Sequence, residues 1–426
     1  MLSVSGCVPQ NQDGDYTETT GEITTGEITT AETSAVSAVS TVSTERYSPN
    51  DRLGEIIGEE LPAPEMLEYT PYVPSEHGMR NISSWELLKE IKTGWNLGNT
   101  FDAPNSETAW GNPQTTYEML HAVKETGFDS IRIPVSWGFR TGGAPDYIIE
   151  PEMLDRVEEV VGYVMSLDMY CILNTHHETW LLLDEKNIEQ TEAQLTAVWK
   201  QISERFADYN EKLLFEGMNE PRTIGSDAEW QGGTSGEHRA VNRLNKVFVE
   251  TVRASGGRNA NRHLLVPTYA ASAESAAVEA LSRGFSTIAG NDNKVIASIH
   301  AYTPHSFALR DKGSAQWNPS ETHDTDEIDW VFERLQSRFI DKGIPVILGE
   351  TGAVDRRGNL QARVDWAGYY FGKAAESEIP CYWWDNGLFY SDERPDREHF
   401  GLLNRHYNVF IFPEIIDAIM ENQTRD

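Results

Sequence analysis

Residues Leu213–Arg222 read LLFEGMNEPR. The run begins as an apolar strand and ends in Asn219, Glu220 and Pro221. An unpaired carboxylate is costly to bury, so a Glu that closes such a strand belongs at a polar strand mouth or beside a partner. The same texture recurs along the chain: TGWNLGN from Thr93, SIRIPVSW from Ser130, MYCILNTHH from Met169, HLLVPTY from His263, VIASIHAY from Val295, PVILGET from Pro345 and PCYWWDNG from Pro380. With LLFEGMNE these make eight apolar runs. Amphipathic stretches separate them, among them Pro151–Ser166 and Thr191–Tyr209. Strands that are nearly all apolar are buried on both faces, and eight strand–helix repeats predict an α/β fold, the (β/α)₈ barrel. A doubly wound open sheet is the competitor, but no Gly-rich phosphate loop follows the first strand.

The strand ends carry the functional signal. They finish in Asn96 and Asn99; Arg132 and Trp137; Asn174, His176, His177 and Glu178; Asn219 and Glu220; Tyr269; His300 and Tyr302; Glu350; and Trp383, Trp384, Asp385 and Asn386. A barrel brings all of these to one face, where such folds build their sites. Glu220 and Glu350 end the fourth and seventh strands, across the mouth from one another. Either Glu alone reads as a strand-end ion pair. Two of them facing a gap, with Arg, His, Tyr and Trp converging, fit glycoside hydrolysis, in which one carboxyl is acid and base and the other nucleophile or base.

Composition narrows the partners. The 67 acidic and 35 basic side chains give a formal net charge of −32, which repels phosphate backbones and anionic lipid, so nucleic acid is not an expected partner. Twelve Trp suit both a large core and a surface that stacks on rings. The three Cys (Cys7, Cys171 and Cys381) are too few for a disulfide framework or a Cys-rich zinc site. Cys171 and Cys381 sit in apolar runs and read as free buried thiols. No apolar run is long enough to span a membrane.

The first 80 residues differ from the rest and are read as a linker region, with the catalytic domain over 81–426. MLSVSGC resembles the end of a bacterial lipoprotein signal, which would make Cys7 a lipid anchor; the alternative is an irregular terminus that happens to hold a Cys. From Asp13 to about Thr44 the chain is Thr-, Glu-, Ser-, Ala- and Gly-rich, with a tandem Gly-Glu-Ile-Thr-Thr repeat, and reads as a disordered acidic tether. Glu45 to about Met79 is Pro- and Glu-rich and is expected to wrap irregularly onto the domain. The expected location is therefore secreted or tethered to a bacterial cell surface, as a monomer.

RIPVSW, LNTHHE, GMNEPR, HAYTP, VILGETG and YWWDNG, strand ends that fall in family order along the chain, resemble glycoside hydrolase family 5, the retaining β-glycanases that include the cellulases. WNLGNTFDA and ETAWGNPQTT resemble its subfamily 4, which holds endoglucanases and xyloglucanases. The resemblance runs from about Ser83 to Phe412. It implies Glu220 as acid/base and Glu350 as nucleophile, no cofactor, and a β-glucan substrate. Arg132 is then the cation that keeps Glu350 ionised, Tyr302 a second donor to it, Asn219 the partner of the sugar 2-OH, and His300 the partner of Glu220. The family pattern places His176 at the sugar on the non-reducing side; His177 is either beside it or packed behind. It also makes Trp384 the sugar platform of the eighth strand, with Trp383 pointing into the helix layer, and puts Asn99 and Asp102 at sugar hydroxyls. Trp110, Trp137 and Trp180 are each platform or core, while Phe128, Phe206, Phe215 and Phe248 read as core. HHE invites a metal, but HExxH is absent and no further ligand stands at suitable spacing, so none is expected.

The expected activity is a retaining endo-β-1,4-glucanase acting on cellulose-like, mixed-linkage or xyloglucan polymers. The same scaffold acting on β-mannan or xylan is the near alternative. A non-catalytic carbohydrate-binding barrel is the alternative of another class, although both Glu and Asn219 are present. A Ser hydrolase has no G-x-S-x-G elbow to rest on.

Overall fold

The computed structural model describes residues 49–57, 66–310, 312–394 and 397–423. Eight parallel strands close into a barrel in chain order. They are β1 (Thr93–Leu97), β2 (Ser130–Ile133), β3 (Tyr170–Asn174), β4 (Leu213–Glu216), β5 (Leu264–Ser272), β6 (Val295–His300), β7 (Val346–Thr351) and β8 (Cys381–Asp385). β1 pairs with β8 over five residues, from Thr93 opposite Cys381 to Leu97 opposite Asp385, and this seam closes the ring.

The helices are α1 (Pro49–Ile57), α2 (Ser84–Leu88), α3 (Tyr117–Glu125), α4 (Pro151–Ser166), α5 (Ile188–Arg205), α6 (Ser235–Ala254), α7 (Ser275–Ala289), α8 (His305–Ala308), α9 (Thr322–Arg338), α10 (Leu360–Glu376) and α11 (Pro413–Asn422). Two of their starts carry a capping box. Thr234 caps α6 through a capping box with Glu237, and Ser83 does the same for α2 with Glu86. A short antiparallel pair, β9 (Leu403–Asn404) and β10 (Val409–Phe410), precedes α11.

Alternation along the strands sorts the side chains. Outward residues such as Trp95, Ile131, Cys171, Phe215, Leu348 and Trp383 pack under the helices in the main core, with Phe128, Phe206 and Phe248. Inward residues form a second, separate cluster: Ile172, Leu214, Leu265, Ile296, Ile347 and Tyr382, closed from below by Leu87 and Leu88 of α2. Gly94 makes room in this layer, since a Cβ there would lie 2.0 Å from the Tyr382 ring. Two residues further along β1, β2, β3, β4 and β6 the inward side chains are polar: Asn96, Arg132, Asn174, Glu216 and Ser298, all buried. An apolar plug below and a polar layer above thus place charge only at the C-terminal mouth.

Residues 66–83 lack regular structure apart from one 3₁₀ turn and pack onto the barrel, but the stretch expected to be irregular also holds a helix, α1. Tyr69 lies against Tyr117 and Tyr163, and Arg80 bridges Glu90 and Glu211. Cys171 and Cys381 are free and buried, and burial pushes both thiols up. Cys7 and the tandem repeat lie outside the described residues. Among the described residues no helix is long and apolar enough to cross a membrane.

Candidate active site

The centre of the mouth is Arg132, which rises from the end of β2 with no exposed surface. Its Nε and Nη2 both reach Glu216 Oε2 at 2.7 Å, its Nη1 donates to Glu350 Oε1 at 2.6 Å and Asn96 Oδ1 at 3.0 Å, and its Nη2 donates to Asn219 Oδ1 at 2.7 Å. One guanidinium therefore fixes residues of β1, β4 and β7 together. Burial works against its charge, but the Glu216 and Glu350 carboxylates outweigh that and hold Arg132 firmly protonated.

Glu350, on β7, receives a second donor from the Tyr302 hydroxyl at 2.9 Å. Burial and the charges of Glu350 and Glu220 raise the Tyr302 phenol well above its ordinary range, so it stays a donor. Glu220 accepts from His300 Nδ1 at 3.0 Å, and the same nitrogen lies 3.6 Å from Glu350 Oε2. His300 Nε2 is buried without a partner among the described residues, so the imidazole proton belongs on Nδ1. Nearest ligand atoms of Glu220, His300 and Glu350 all fall within 4.8 Å of one another. Arg132, Tyr302 and His300 thus contact the two Glu as expected, and Asn219 is anchored on Arg132 beside them.

The proton on Glu220 departs from expectation. The acid/base role expected of Glu220 calls for a carboxyl that can hold a proton. In the site burial pushes it up, but the His300 hydrogen bond and the Arg222 guanidinium outweigh burial and hold it down at about 2. The donors aimed at the carboxylate favour its anion.

Other residues sort into cleft and support. Trp384 points inward over the mouth, parallel to the His176 ring at 5.7 Å and packed with Val354 and Phe400, while Trp383 points outward against Trp366 of α10. Gly98 lets the Trp384 indole lie flat, since a Cβ there would be 2.8 Å from it. Burial drives the His176 imidazole well below its ordinary range and His177 to about 4, so both are neutral. His177 is half-buried at the rim, edge-on to Trp110. Asn99, in the turn after β1, has a left-handed conformation (φ 53°) and is half-buried, with its side chain making no hydrogen bond among the described residues.

Asp102 is not where expected. It has no exposed surface, and its two oxygens accept from Asn99 N at 3.0 Å and Thr100 N at 2.6 Å, so it braces the turn after β1 and does not face a sugar. It also corrects the metal reading, because the fold brings it within 4.8 Å of His176 and His177 as a third group. Both its oxygens are already engaged by amides, and His176 Nδ1 faces Asn174 Nδ2 at 3.3 Å. Trp137 is core, bonded to Asn174 O, and Trp180 is half-buried, donating to Glu178. A cavity of about 380 Å³ under the loop after β1, walled by Phe101, Ser136, Arg140 and Arg156, contains neither Glu220 nor Glu350.

Two residues of the site went unassigned in the sequence. Glu216 is fully buried and accepts from Arg132, Asn174 Nδ2 (3.0 Å) and Ser298 Oγ (2.5 Å). Its signal was present: it stands two residues after Leu214 and so shares that inward face. Arg222 touches Glu220 directly, and its position just after NEP is the only local hint.

The cellulase model of glycosyl hydrolase family 5 matches residues 96–389. Endoglucanase B of Neocallimastix patriciarum is 44% identical over 355 residues, covering 80% of this chain and 72% of that protein. Among solved structures, a GH5-4 broad-specificity endoglucanase from Ruminococcus champanellensis with bound cellotriose is 43% identical with a TM-score of 0.75, covering 81% of this chain and 100% of that one. A xyloglucan-specific endo-β-1,4-glucanase from a metagenomic library, in complex with cellotriose, is 40% identical with a TM-score of 0.74, covering 79% and 98%.

Proposed function

The chain belongs to the cellulase family, glycosyl hydrolase family 5, and on that premise we propose that it is a retaining endo-β-1,4-glucanase that opens internal bonds of cellulose-like, mixed-linkage or xyloglucan chains. The observation that carries this reading is the pair of carboxyls, Glu350 held by Arg132 and Tyr302 and Glu220 held by His300, with ligand atoms within 4.8 Å. Retaining enzymes keep their carboxyls about 5–5.5 Å apart, whereas inverting enzymes need about 6.5–9.5 Å to fit a water between them.

In the first step a Glu350 oxygen attacks the anomeric carbon, the glycosidic C–O bond breaks, and the departing oxygen takes a proton from Glu220. In the second, water attacks the same carbon, gives a proton to Glu220, and the bond to Glu350 breaks. Glu220 must therefore gain a proton before the first step. A sugar entering the mouth excludes water and strengthens the repulsion between two anions this close, so one of them protonates. Arg132 and Tyr302 bind the Glu350 anion by short bonds, which sends the proton to Glu220. Asn219, anchored on Arg132, is set to bond the sugar 2-OH, and Trp384 to carry its apolar face.

The test is Glu220→Gln on a series of aryl cellobiosides. The loss in kcat/KM should grow steeply as the leaving group becomes less acidic, and an equal loss across the series would overturn the acid role. Release of product from carboxymethylcellulose, mixed-linkage glucan, xyloglucan, xylan and mannan ranks the substrates. Cleavage confined to mannan or xylan would overturn the glucan assignment and keep the mechanism. We also infer, from MLSVSGC and the acidic repeat that follows, that the enzyme is held at a cell surface through a lipid on Cys7. Cys7→Ser should then release it into the medium, and unchanged partitioning would refute the anchor.

A further inference from the structure

The loop after β4 holds a second arginine whose purpose the two-carboxyl chemistry leaves open. Arg222 Nη1 lies 3.1 Å from the main-chain oxygen of Glu220 and 3.3 Å from its Oε2. Its Nε donates to Glu229 Oε1 at 3.0 Å, and Glu229 Oε2 in turn accepts from Gly225 N at 2.7 Å. The Trp230 ring covers the guanidinium, with Cζ 4.6 Å from its centroid. Arg222 and Glu229 are both largely buried, with side-chain exposures of 14% and 13%. A guanidinium so enclosed holds its position, and stacking removes one of its faces from water.

The two oxygens of Glu220 are therefore handled separately. Oε1 accepts from His300 at 3.0 Å, while Oε2 has only the longer Arg222 contact at 3.3 Å. A charge-assisted bond of this type is ordinarily about 2.7–2.9 Å, so Oε2 is steered yet remains open to a proton and to the departing glycosidic oxygen. Other charged or titratable groups facing Glu220 are Glu350 from β7, Tyr302 beyond β6 and His177 beyond β3. Of the cations, Arg222 alone is paired with a carboxylate that does not itself belong to the reacting pair or to the Arg132 cluster.

We propose that Arg222 is a positioning residue for the acid/base step, holding Glu220 with Oε2 toward the leaving group, and that Glu229 moderates how strongly its charge acts there. This rests on the reading of Glu220 as the acid. The two partners then act in opposite directions. Without Arg222 the Glu220 anion loses a cation, so the acid keeps its proton to higher pH. Without the Glu229 charge Arg222 acts on Glu220 in full, so the proton leaves at lower pH.

The experiment is the pH dependence of kcat/KM, whose alkaline limb reports the acid of the free enzyme, for the full chain and its Arg222→Met, Arg222→Lys and Glu229→Gln variants. The substrate is a cellobioside with a poor leaving group. Arg222→Met should move the limb up by about one pH unit, the lower end of the effect of a neighbouring opposite charge. Glu229→Gln should move it down, and Arg222→Lys should return it toward the parent while kcat stays reduced, because a point charge replaces a two-point clamp. With an activated aryl leaving group, which needs no proton, the limb should not respond. Limbs that stay in place, or move the same way in both charge variants, would overturn the proposal, provided that Glu220→Gln retains its leaving-group dependence. Absence of that dependence would instead remove the acid assignment and the proposal with it. A thermal midpoint of Arg222→Met near the parent's shows that it is folded, and if it is not, the opposite shift in Glu229→Gln carries the test.

Discussion

Replacing Glu216 by Leu separates the buried support from the reacting groups. Glu216 never meets solvent, yet it accepts from Arg132 Nε and Nη2, Asn174 Nδ2 and Ser298 Oγ. Leu fills much of the same volume and satisfies none of these donors. Arg132 keeps Glu350, Asn96 and Asn219, but Nε is left unpaired where water cannot reach it. Removing one partner of a buried ion pair costs about 3–5 kcal/mol. In a domain of this size that corresponds to a midpoint lower by roughly 6–10 °C, taking the small end of the usual conversion. Glu216→Gln should cost less, about 1–3 kcal/mol, since an amide oxygen can still accept from Arg132 while its NH₂ faces a hydroxyl that can turn to receive it. Both variants should lose activity, because Asn219 and Glu350 hang on the same guanidinium, and a displacement of about 1 Å is worth about 10²-fold. Thermal unfolding and kcat/KM on one soluble glucan are sufficient assays. A Leu variant within about 1 kcal/mol of the parent, with near-parent turnover, would refute the idea that Glu216 holds the site together.

Glu350→Ala should lower turnover by at least about 10³-fold while polymer binding persists, and azide should restore part of it on an activated aryl β-cellobioside as the α-glycosyl azide. An azide product of β configuration, or no rescue with undiminished turnover, would remove Glu350 as nucleophile. Glu178 provides a pH signature: burial raises it to about 7 against the lowering by Gly138 N, Trp180 Nε1 and Trp137 N. The unfolded chain then loses this proton first as pH rises, near 4.5, and the folded chain last, so folded stability contributed by Glu178 falls between about pH 4.5 and 7. The stability difference between parent and Glu178→Gln, read from midpoints across that range, should shrink as pH rises, and a constant difference would contradict the raised carboxyl.

Much of this molecule was legible because two rules act together on every strand. Apolar runs gave all eight strands, and the polar residue ending each gave the mouth, since only that face tolerates charge. α4 was bounded from its Pro151 start to Ser166, where helix-starting Pro and periodic apolar residues agree. What escaped depends on contacts that spacing does not encode. β5 runs to Ser272, further than its apolar pattern indicates, because Ala270 and Ala271 turn through positive φ and shift the register with β6. Asp102 has the residue type of a sugar ligand, but neighbouring amides capture it. Glu216 lay inside an apolar run whose period already pointed it inward, yet its partner Arg132 comes from two strands away. The low proton affinity of Glu220 could not be read at all, since it is set by His300 and Arg222 after folding.

The charge balance of the mouth explains why so costly a polar layer is kept. With Glu220 protonated for the first step, three carboxylates, Glu216, Glu350 and Glu229, face two guanidinium ions, Arg132 and Arg222. One negative charge is left over, at Glu350, whose Oε2 has the Tyr302 hydroxyl and the His300 ring beside it and no guanidinium. A ground-state sugar is uncharged and does nothing to balance it. The oxocarbenium-like transition state carries its positive charge on the ring beside that carboxylate. In a mouth from which water has been expelled, that pairing is worth far more than in solution and requires no rearrangement of the surrounding groups. The deficit is met only at the transition state, so the arrangement favours the barrier crossing over binding of the intact chain. The apolar layer of Ile172, Leu214, Leu265, Ile296 and Ile347 beneath it keeps water from reaching the cluster from below.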